Sequence, residues 1–272
     1  MKIDVVLLTM NSNKPIFRRV LDSLYRNVEV NRLIVVDGGS TDGTIEVLSK
    51  YPNVEMHYDL GGTRATAREM GIKLVETEWF LFLDSDVILC KDWQKKAERY
   101  IEDDVGAVQG YDIPIRSPEV EDYHYAIVKL RRKLKRHSSL VPCTKRGFTG
   151  DALIRTELVK DIKIPAPLHV FEDYFIRRWI ERKGYRWVVT KDPYCLHAMG
   201  SRWNRLKEDA FFSGYLARKF HFYGIVDELR AAITIFPKVM YALTLRPNFK
   251  MAKMQLLRQY YVLAGYLKGC LR

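Results

Sequence analysis

Two aspartates, Asp84 and Asp86, lie two residues apart directly after the apolar run WFLFL at residues 79–83. Two carboxylates this close repel each other unless a cation or hydrogen bonds compensate for their charge. Mg²⁺ and Mn²⁺ prefer oxygen ligands, and Mg²⁺ is commonly held by one or two carboxylates together with substrate phosphates. The spacing therefore indicates a site for a metal bound to a diphosphate. A solvated turn with two unrelated acids is the alternative.

A second polar segment, VVDGGSTDGT at residues 35–44, follows another apolar run. Asp37 could accept hydrogen bonds from the base or ribose of a nucleotide. The segment could also be a turn that leads into a helix, with Ser40 or Thr41 as N-cap and Asp42 or Glu46 favouring the helix start. It matches neither the phosphate-binding pattern GxxxxGK[ST] nor the dinucleotide pattern GxGxxG.

The elements that must position these residues alternate between strands and helices. Apolar runs predict strands at residues 3–10, 32–37, 54–59 and 79–84, and helical spacing predicts helices at 15–26, 45–51 and 63–75. Alternation of this kind predicts an α/β fold with a mostly parallel, Rossmann-like sheet flanked by helices. Ligands of such sheets bind beyond the carboxyl ends of the strands. We therefore expect Thr9, Asn11, Asp37 and the Asp84-Ser85-Asp86 segment to share one rim.

The pattern is looser beyond residue 105. We expect a strand at 105–110, a helix at 121–137, a strand or loop and then a short helix within 146–161, a helix at 171–184 and a strand at 185–190. From about residue 201 the chain is predicted to be helical. Two domains follow from this reading, an α/β domain at 1–200 and a basic, amphipathic helical region at 201–272.

Five segments together resemble the family 2 glycosyltransferases of the GT-A fold. They are IVVDGGSTDGT (34–44), ATAREMGI (65–72), FLFLDSD (80–86), GFTGDALIRTELVKDI (147–162) and FEDYFIRRWIERKGYRW (171–187). The resemblance covers roughly residues 1–200. It implies an inverting, metal-dependent enzyme that moves a sugar from a UDP- or GDP-sugar to an acceptor hydroxyl, with Mg²⁺ or Mn²⁺ as cofactor.

The resemblance also implies roles for individual residues. The nucleotide-sugar donor would be bound by Thr9, Asn11, Asp37, Arg68, Asp84, Ser85 and Asp86, and the metal by Asp86 with His197 near it. An acceptor would contact Gly150 and Asp151. Asp173, next to Glu172, would be the general base that takes the acceptor proton. A packed or capping role for His197, and simple helix-start acidity for Glu172 and Asp173, are the alternatives.

Two positions depart from the family pattern. Glu69 follows Arg68 where asparagine is usual, so the hydrogen bonds at this point of the helix are expected to differ. Gly38 stands where a second aspartate is common, which leaves Asp37 as the only acid before Ser40.

The net charge of +12 is concentrated in the tail. Residues 201–272 hold thirteen Lys/Arg and four Asp/Glu, interleaved with apolar and aromatic residues, and the cluster KLRRKLKRH lies at 129–137. No stretch reaches the ~20 apolar residues of a membrane span. The pattern is typical of helices that lie on an anionic leaflet, where a lipid-linked or glycan acceptor would be reached. Packing, dimerisation or a solvated basic face is the alternative. Nucleic acid is not expected as a partner, because no zinc-finger or RNP-like motif is present.

The remaining sequence features bear on the cellular compartment and on the alternative functions. The four cysteines form no CxxC pair, and MKIDVVLLTMNSNKP lacks the pattern of a signal peptide. We therefore expect a cytoplasmic protein, peripheral on the inner face of the cell membrane. A sugar-phosphate nucleotidyltransferase is one rival, although TMNSNKP matches its glycine-rich loop poorly. A non-catalytic module that binds nucleotide sugars or membrane is the other.

Overall fold

The structure, a computed structural model, describes residues 1–115, 147–198, 206–233, 235–244 and 249–271. The described chain divides into two compact units, one made of residues 1–115 and 147–198, the other of residues 206–271. The predicted helix at 121–137 and its KLRRKLKRH cluster lie outside the described residues. The assignment of a catalytic role to one unit and a membrane-facing role to the other stays a prediction.

Eight strands of the first unit form one mixed sheet. They are β1 (Ile3–Thr9), β2 (Val30–Asp37), β3 (Val54–Tyr58), β4 (Trp79–Asp84), β5 (Val87–Leu89), β6 (Val105–Ile115), β7 (Asp151–Arg155) and β8 (Arg186–Ala198). Their order in the sheet is β3-β2-β1-β4-β7-β6-β8-β5. The first four are parallel to one another, as predicted, whereas β7 runs antiparallel to both β4 and β6. The apolar residues of β1 and β4 are buried because the sheet is covered on both faces.

In the described part of the first unit, five helices flank this sheet, namely α1 (Pro15–Asn27), α2 (Thr44–Leu48), α3 (Arg64–Leu74), α4 (Trp93–Glu98) and α5 (Glu172–Arg182). Pro15 opens α1, where its missing N–H costs nothing, and Phe17, Val20, Leu21 and Leu24 form the buried face. Thr63 and Thr66 close a reciprocal capping box at the start of α3. A 3₁₀ turn, Thr156–Leu158, stands where a short helix was predicted.

Two predictions about the sheet were incomplete. Neither β5 nor α4 was predicted, because three and six residues are too short to show a period. The last strand was expected to end at residue 190, but β8 continues to Ala198. Its pairing with β6 shifts register between Gln109 and Tyr111, and Pro193 falls in this irregular stretch. A proline is tolerated there because a bulge interrupts the hydrogen-bond ladder.

The pairing registers place the polar strand ends side by side. Thr9 at the end of β1 is the register partner of Asp37 on β2, and Leu8 is the partner of Asp84 on β4. The three loops that follow β1, β2 and β4 therefore start at one edge of the sheet. This edge, with Thr9, Asp37 and Asp84 as its strand ends, is called the rim below.

The second unit consists of four helices in its described part, α6 (Leu206–Lys219), α7 (Ile225–Ile233), α8 (Ile235–Thr244) and α9 (Phe249–Cys270). Glycines bring α6 and α9 close together, because a Cβ on Gly214 would lie 1.8 Å from the Val262 carbonyl oxygen and one on Gly265 would lie 1.9 Å from that of Phe211. Within the described ranges, none of the helices is both long and apolar enough to cross a bilayer.

Candidate active site

Asp37 organises the loop that follows β2. Its Oδ1 accepts hydrogen bonds from Thr9 Oγ1 at 2.8 Å and Ser40 Oγ at 2.6 Å, and its Oδ2 accepts from the N–H groups of Gly39 at 2.8 Å and Ser40 at 2.7 Å. Burial alone would raise the pKa of Asp37, but these hydrogen bonds outweigh it and lower the pKa below 3.8. The carboxylate thus accepts hydrogen bonds from its own loop and from the end of β1. Its predicted contact with a nucleoside stays a prediction.

Asn11 and Ser85 tie the loops of the rim to one another. Asn11 has a left-handed backbone, with φ of 51°, and its side chain is exposed. Its N–H donates to Ser40 Oγ at 2.8 Å, and its Oδ1 accepts from the Thr41 N–H at 2.9 Å. Ser12 Oγ donates to Ser85 Oγ at 3.1 Å. The structure therefore brings the predicted donor-binding residues Thr9, Asn11 and Asp37 into one hydrogen-bonded cluster and ties Ser85 to Ser12, the residue after Asn11.

Arg68 lies on the face of α3 that packs on the sheet. The helix approaches β1 closely because Gly71 has no side chain; a Cβ there would lie 2.3 Å from Val6 Cγ1. Arg68 is only 3% exposed. Its Nη2 donates to Asp84 Oδ1 at 3.0 Å, its Nε lies 3.6 Å from Glu172 Oε1, and its guanidinium stands 4.9 Å from the centroid of the Phe82 ring.

The guanidinium of Arg68 joins three elements at the rim. Burial would lower its pKa, but the negative charges of Asp84 and Glu172 outweigh burial and raise it, so the charge is retained. Within the described residues, its Nε and Nη1 have no hydrogen-bond partner. Arg68 therefore connects the end of β4 with the start of α5. Its predicted contact with the base or phosphates of a donor stays a prediction.

Replacement of Arg68 by methionine is expected to destabilise the fold by about 3–5 kcal/mol, because it leaves the buried Glu172 carboxylate and the half-buried Asp84 carboxylate without their cation. Urea unfolding followed by circular dichroism measures the loss. Arg64→Met, at an exposed position of the same helix, is the control and should cost less than about 1 kcal/mol. Equal losses for both variants would contradict the structural role given to Arg68.

The structure explains one of the two departures from the family pattern, the glutamate at position 69. Glu69 Oε2 accepts the Ile164 N–H at 2.9 Å, and its Oε1 pairs with Lys73 Nζ at 2.6 Å. Burial would raise the pKa of Glu69, but these bonds outweigh it and lower the pKa. Glu69 therefore anchors α3 to the segment that holds Ile164. At Gly38, a Cβ would make only ordinary contact with Met10, so no steric need for glycine exists there.

His197 lies between two carboxylates near the rim. Its Nε2 is 3.6 Å from Asp86 Oδ1, and its Nδ1 is 3.4 Å from Asp112 Oδ1. The Ala198 N–H donates to the Asp86 carbonyl at 2.9 Å, and the Phe148 ring stacks on the imidazole at 5.3 Å between centroids. Burial would lower the pKa of His197, but the two carboxylates outweigh it and raise it to about 10. The structure thus brings together the two residues predicted to lie at a metal.

Asp112 was missed by the sequence-based prediction. It lies on β6, which was expected to end at residue 110, and it belongs to no motif. Only the pairing of β6 with β8, in which Asp112 is the register partner of Cys195 and Pro114 of His197, brings it to the imidazole.

The Asp86 and His197 side chains fit a divalent ion. Ligand atoms about 2.1 Å from one Mg²⁺ lie roughly 3–4 Å apart, so Asp86 Oδ1 and His197 Nε2 need little movement to share an ion. A carboxylate on the second nitrogen of a ligating histidine, as Asp112 provides, is the usual outer partner that orients the ring. No group of three or more His, Cys, Asp or Glu side chains forms a complete cage in the part of the chain that the structure describes. Mg²⁺ sites of this type are completed by water and substrate phosphates.

Glu172 and Asp173 occupy the first turn of α5, and both are buried. Phe171 before them has a left-handed backbone, with φ of 75°. Asp173 Oδ1 accepts the Tyr174 N–H at 2.7 Å, which fixes its carboxyl at the helix start. The positive end of the helix dipole favours negative charge at this place.

Gly150 and Asp151 have different surroundings. The Gly150 carbonyl accepts the Asp84 N–H at 3.1 Å, so Gly150 borders the Asp84-Ser85-Asp86 segment. Asp151 has no exposed surface, and Trp93 Nε1 lies 3.3 Å from its Oδ2. Burial raises the pKa of Asp151 to about 8. Its predicted contact with an acceptor is therefore not supported by its position, which lies inside the sheet layer.

Comparisons with known proteins agree on the kind of protein. The model of the family described as "Glycosyl transferase family 2" matches residues 4–162. The poly(ribitol-phosphate) beta-N-acetylglucosaminyltransferase TarS of Staphylococcus aureus is 33% identical over 113 residues, which are 38% of this chain and 19% of TarS. The O-antigen chain rhamnosyltransferase RfbN of Salmonella typhimurium is 25% identical over 217 residues, 73% of this chain and 65% of RfbN. The chain thus spans less than two thirds of either relative.

Solved structures show the same fold. The mannosyltransferase PcManGT of Pyrobaculum calidifontis, in complex with GDP-Man and Mn²⁺, superposes with a TM-score of 0.66 at 18% identity, covering 99% of this chain and 87% of that one. S. aureus TarS 1–349 in complex with UDP-GlcNAc gives a TM-score of 0.56 at 18% identity, covering 99% and 89%. The predicted α/β fold of the GT-A type is confirmed by these likenesses. Since the family model matches more than half of its residues, the chain belongs to glycosyl transferase family 2.

Proposed function

We propose that this chain is an inverting, divalent-metal-dependent glycosyltransferase, which moves a sugar from a UDP- or GDP-sugar to an acceptor hydroxyl. One observation carries the proposal. Arg68 contacts both Asp84, on the predicted donor side, and Glu172, the neighbour of the predicted base. This contact supports placing the two motifs, which are 88 positions apart in the chain, in one site.

On the donor side, side chains of this protein would bind the nucleoside diphosphate, which is the leaving group. Asp86 and His197 would hold a Mg²⁺ or Mn²⁺ ion, and Asp112 would orient the imidazole of His197. The bound ion would neutralise the charge that develops on the nucleoside diphosphate as it leaves. Thr9, Asn11 and Ser85, held in their loops by the hydrogen bonds described above, would border the nucleoside.

On the acceptor side, Asp173 would take the proton of the attacking hydroxyl. The bond between the anomeric carbon and the diphosphate oxygen breaks as the bond to the acceptor oxygen forms. One displacement of this kind inverts the configuration and needs one base and no protein nucleophile. The place of Asp173 in the first turn of a helix supports this role, because the helix end favours the carboxylate.

We further propose a lipid-linked or glycan acceptor and an anionic membrane surface as partners. The names of TarS and RfbN refer to poly(ribitol-phosphate) and to an O-antigen chain, both of which are polymers. Residues 229–272 of this chain contain eight Lys/Arg and no Asp/Glu, a composition that suits a negatively charged surface.

Calorimetry with UDP, GDP, dTDP and CMP compounds tests the donor site, with Mn²⁺ and again with EDTA. We expect one nucleoside diphosphate to bind in Mn²⁺ and to bind at least about tenfold more weakly in EDTA. A parallel titration with a nucleoside triphosphate and a sugar 1-phosphate tests the rival activity, because these are the substrates of a nucleotidyltransferase. If no nucleoside diphosphate binds under either condition, the donor-site assignment is wrong.

A further inference from the structure

Four large apolar side chains on one face of α9, and a fifth on the residue that follows the helix, are exposed to solvent. Phe249, Leu256, Tyr260, Leu267 and Leu271 are exposed by 78%, 52%, 64%, 59% and 79%. Their spacing of seven, four and seven residues places Phe249, Leu256, Tyr260 and Leu267 in one narrow stripe of a helix that is about 33 Å long, and Leu271 directly follows its last residue. These five residues are called the α9 stripe.

The α9 stripe is distinct from the face by which α9 is packed into its unit. Ala252, Val262 and Tyr266 are buried, and Gly265 lies against the backbone of α6. The helix therefore has one face for the core of the second unit and another apolar face turned to solvent. Exposed apolar surface of this extent marks a site for a partner or a membrane.

Further exposed apolar residues lie on α7 and α8 of the same unit. On α7, Ile225, Leu229 and Ile233 recur every four residues and are exposed by 48%, 52% and 73%. On α8, Phe236 and Met240 are exposed by 69% and 42%. Regular four-residue spacing gives each helix an apolar face as well.

Two partners could cover these apolar faces, a second copy of the chain or a lipid bilayer. The charge of the surrounding residues distinguishes between them. Lys253 stands between Phe249 and Leu256 on the same side of α9, and residues 229–272 carry eight Lys/Arg without a single acid. A second copy would bring like charges together with no acidic partner in this segment. An anionic bilayer supplies the opposite charge, and lysine can extend its ammonium to the headgroups while its stem stays with the apolar residues.

A cationic pocket of about 350 Å³ lies at the C-terminal ends of α6 and α9. It is lined by Tyr215, Arg218, Lys219, His221, Gly269 and Cys270. Arg218 Nη1 lies 3.4 Å from His221 Nδ1, and its Nε lies 3.1 Å from Cys270 Sγ. Gly269 and Cys270 stand between Leu267 and Leu271 in sequence, so the pocket lies at the same end of α9 as the last two residues of the stripe. Guanidinium, ammonium and imidazole N–H groups are donors that suit a phosphate.

We infer that the α9 stripe lies in the headgroup and upper acyl region of an anionic phospholipid bilayer, with the Arg218 pocket receiving a headgroup phosphate. The helix would lie parallel to the surface, as amphipathic cationic helices do. This inference deepens the proposed membrane-surface role, and its test needs no nucleotide sugar. Its failure would therefore leave the proposed transfer reaction standing.

Vesicle co-sedimentation of the full chain tests the inference. Vesicles of phosphatidylglycerol and phosphatidylcholine are compared with vesicles of phosphatidylcholine alone. The double variant Leu256→Gln/Leu267→Gln should bind anionic vesicles about tenfold more weakly than the parent chain, because both side chains lose their apolar transfer. Tyr58→Gln/Leu60→Gln, which removes two exposed apolar side chains from the first unit, is the matched control and should bind like the parent.

A second variant separates the pocket from the stripe. Arg218→Gln/Lys219→Gln should weaken binding to anionic vesicles several-fold and leave the weak binding to neutral vesicles unchanged. Inorganic phosphate at millimolar concentration tests whether the pocket takes free phosphate: competition by phosphate alone, without any preference for anionic vesicles, would overturn the lipid assignment.

A fluorescence measurement on a single-residue variant tests the same inference if a double variant fails to fold. Tyr260→Trp should gain emission that brominated lipids quench, relative to the parent chain. Absence of extra quenching in a folded protein would overturn the inference. A concentration-dependent dimer that Leu256→Gln/Leu267→Gln dissociates, in a chain that does not bind vesicles, would assign the stripe to a second copy instead.

Discussion

Asp173→Asn is expected to lower kcat for sugar transfer by a factor of about 10³, while donor affinity changes by less than about twofold. Asparagine keeps the size of the side chain and can still accept the Tyr174 N–H that positions Asp173 Oδ1. It cannot take a proton from the acceptor hydroxyl. The substitution therefore removes the chemical step that we assign to Asp173 and spares the donor site.

Single-turnover kinetics with the donor identified by calorimetry, together with donor titration of the same preparation, checks this expectation. Asp161→Asn, at an exposed position of the same unit, is the control and should retain full activity. The inverted configuration of the product, read from the anomeric coupling constant by NMR, checks the single displacement. Transfer by Asp173→Asn at more than a tenth of the parent rate would rule out Asp173 as the base.

Asp86→Ala is expected to abolish metal-dependent donor binding and to lower transfer by a factor of about 10³ or more, since charge neutralisation by a bound metal contributes several kcal/mol to such a reaction. Asp112→Asn should have a smaller, diagnostic effect. It removes a charge beside His197 Nδ1 without removing a proposed ligand, and loss of an outer partner typically weakens metal affinity by about 10–100-fold.

Electron paramagnetic resonance of free Mn²⁺, titrated with protein in the presence of the nucleoside diphosphate, measures both effects. Asp103→Asn, an exposed acid near the start of β6, is the matched control for Asp112→Asn. Unchanged Mn²⁺ affinity in Asp112→Asn would show that Asp112 only packs against His197. Unchanged affinity in Asp86→Ala would place the metal elsewhere.

Much of the first unit could be predicted from residue order. The first four strands, the three long helices α1, α3 and α5, and the position of the polar strand ends at one edge of the sheet agree with the prediction. These features depend on local signals. An apolar run of β-formers, a 3.6-residue period and a glycine-rich turn each act within about ten residues, so one chain suffices to show them. The four motifs within residues 4–162 likewise led to the family that the family model then matched.

The contacts between distant segments could not be predicted in the same way. Arg68 belongs to a recognisable motif, yet its burial against Asp84 and Glu172 depends on how α3 packs on β1 through Gly71. The inward position of Asp151 depends on the antiparallel placement of β7 beside β4. Neither arrangement has a local signature, because it results from packing between elements.

By itself the sequence determined the α/β class, the rim, the acidic pairs and the basic tail, since periodicity, turn chemistry and charge are properties of neighbouring residues. The tertiary structure alone decided that Asp112 faces His197, that the Asp37 carboxylate accepts hydrogen bonds from its own loop and from Thr9, and that α9 turns four apolar side chains to solvent. The physical reason is that the hydrogen bonds and the burial of a side chain depend on which other groups lie next to it in the folded chain. Register and packing fix those approaches, and they bring together residues that are tens of positions apart in the chain.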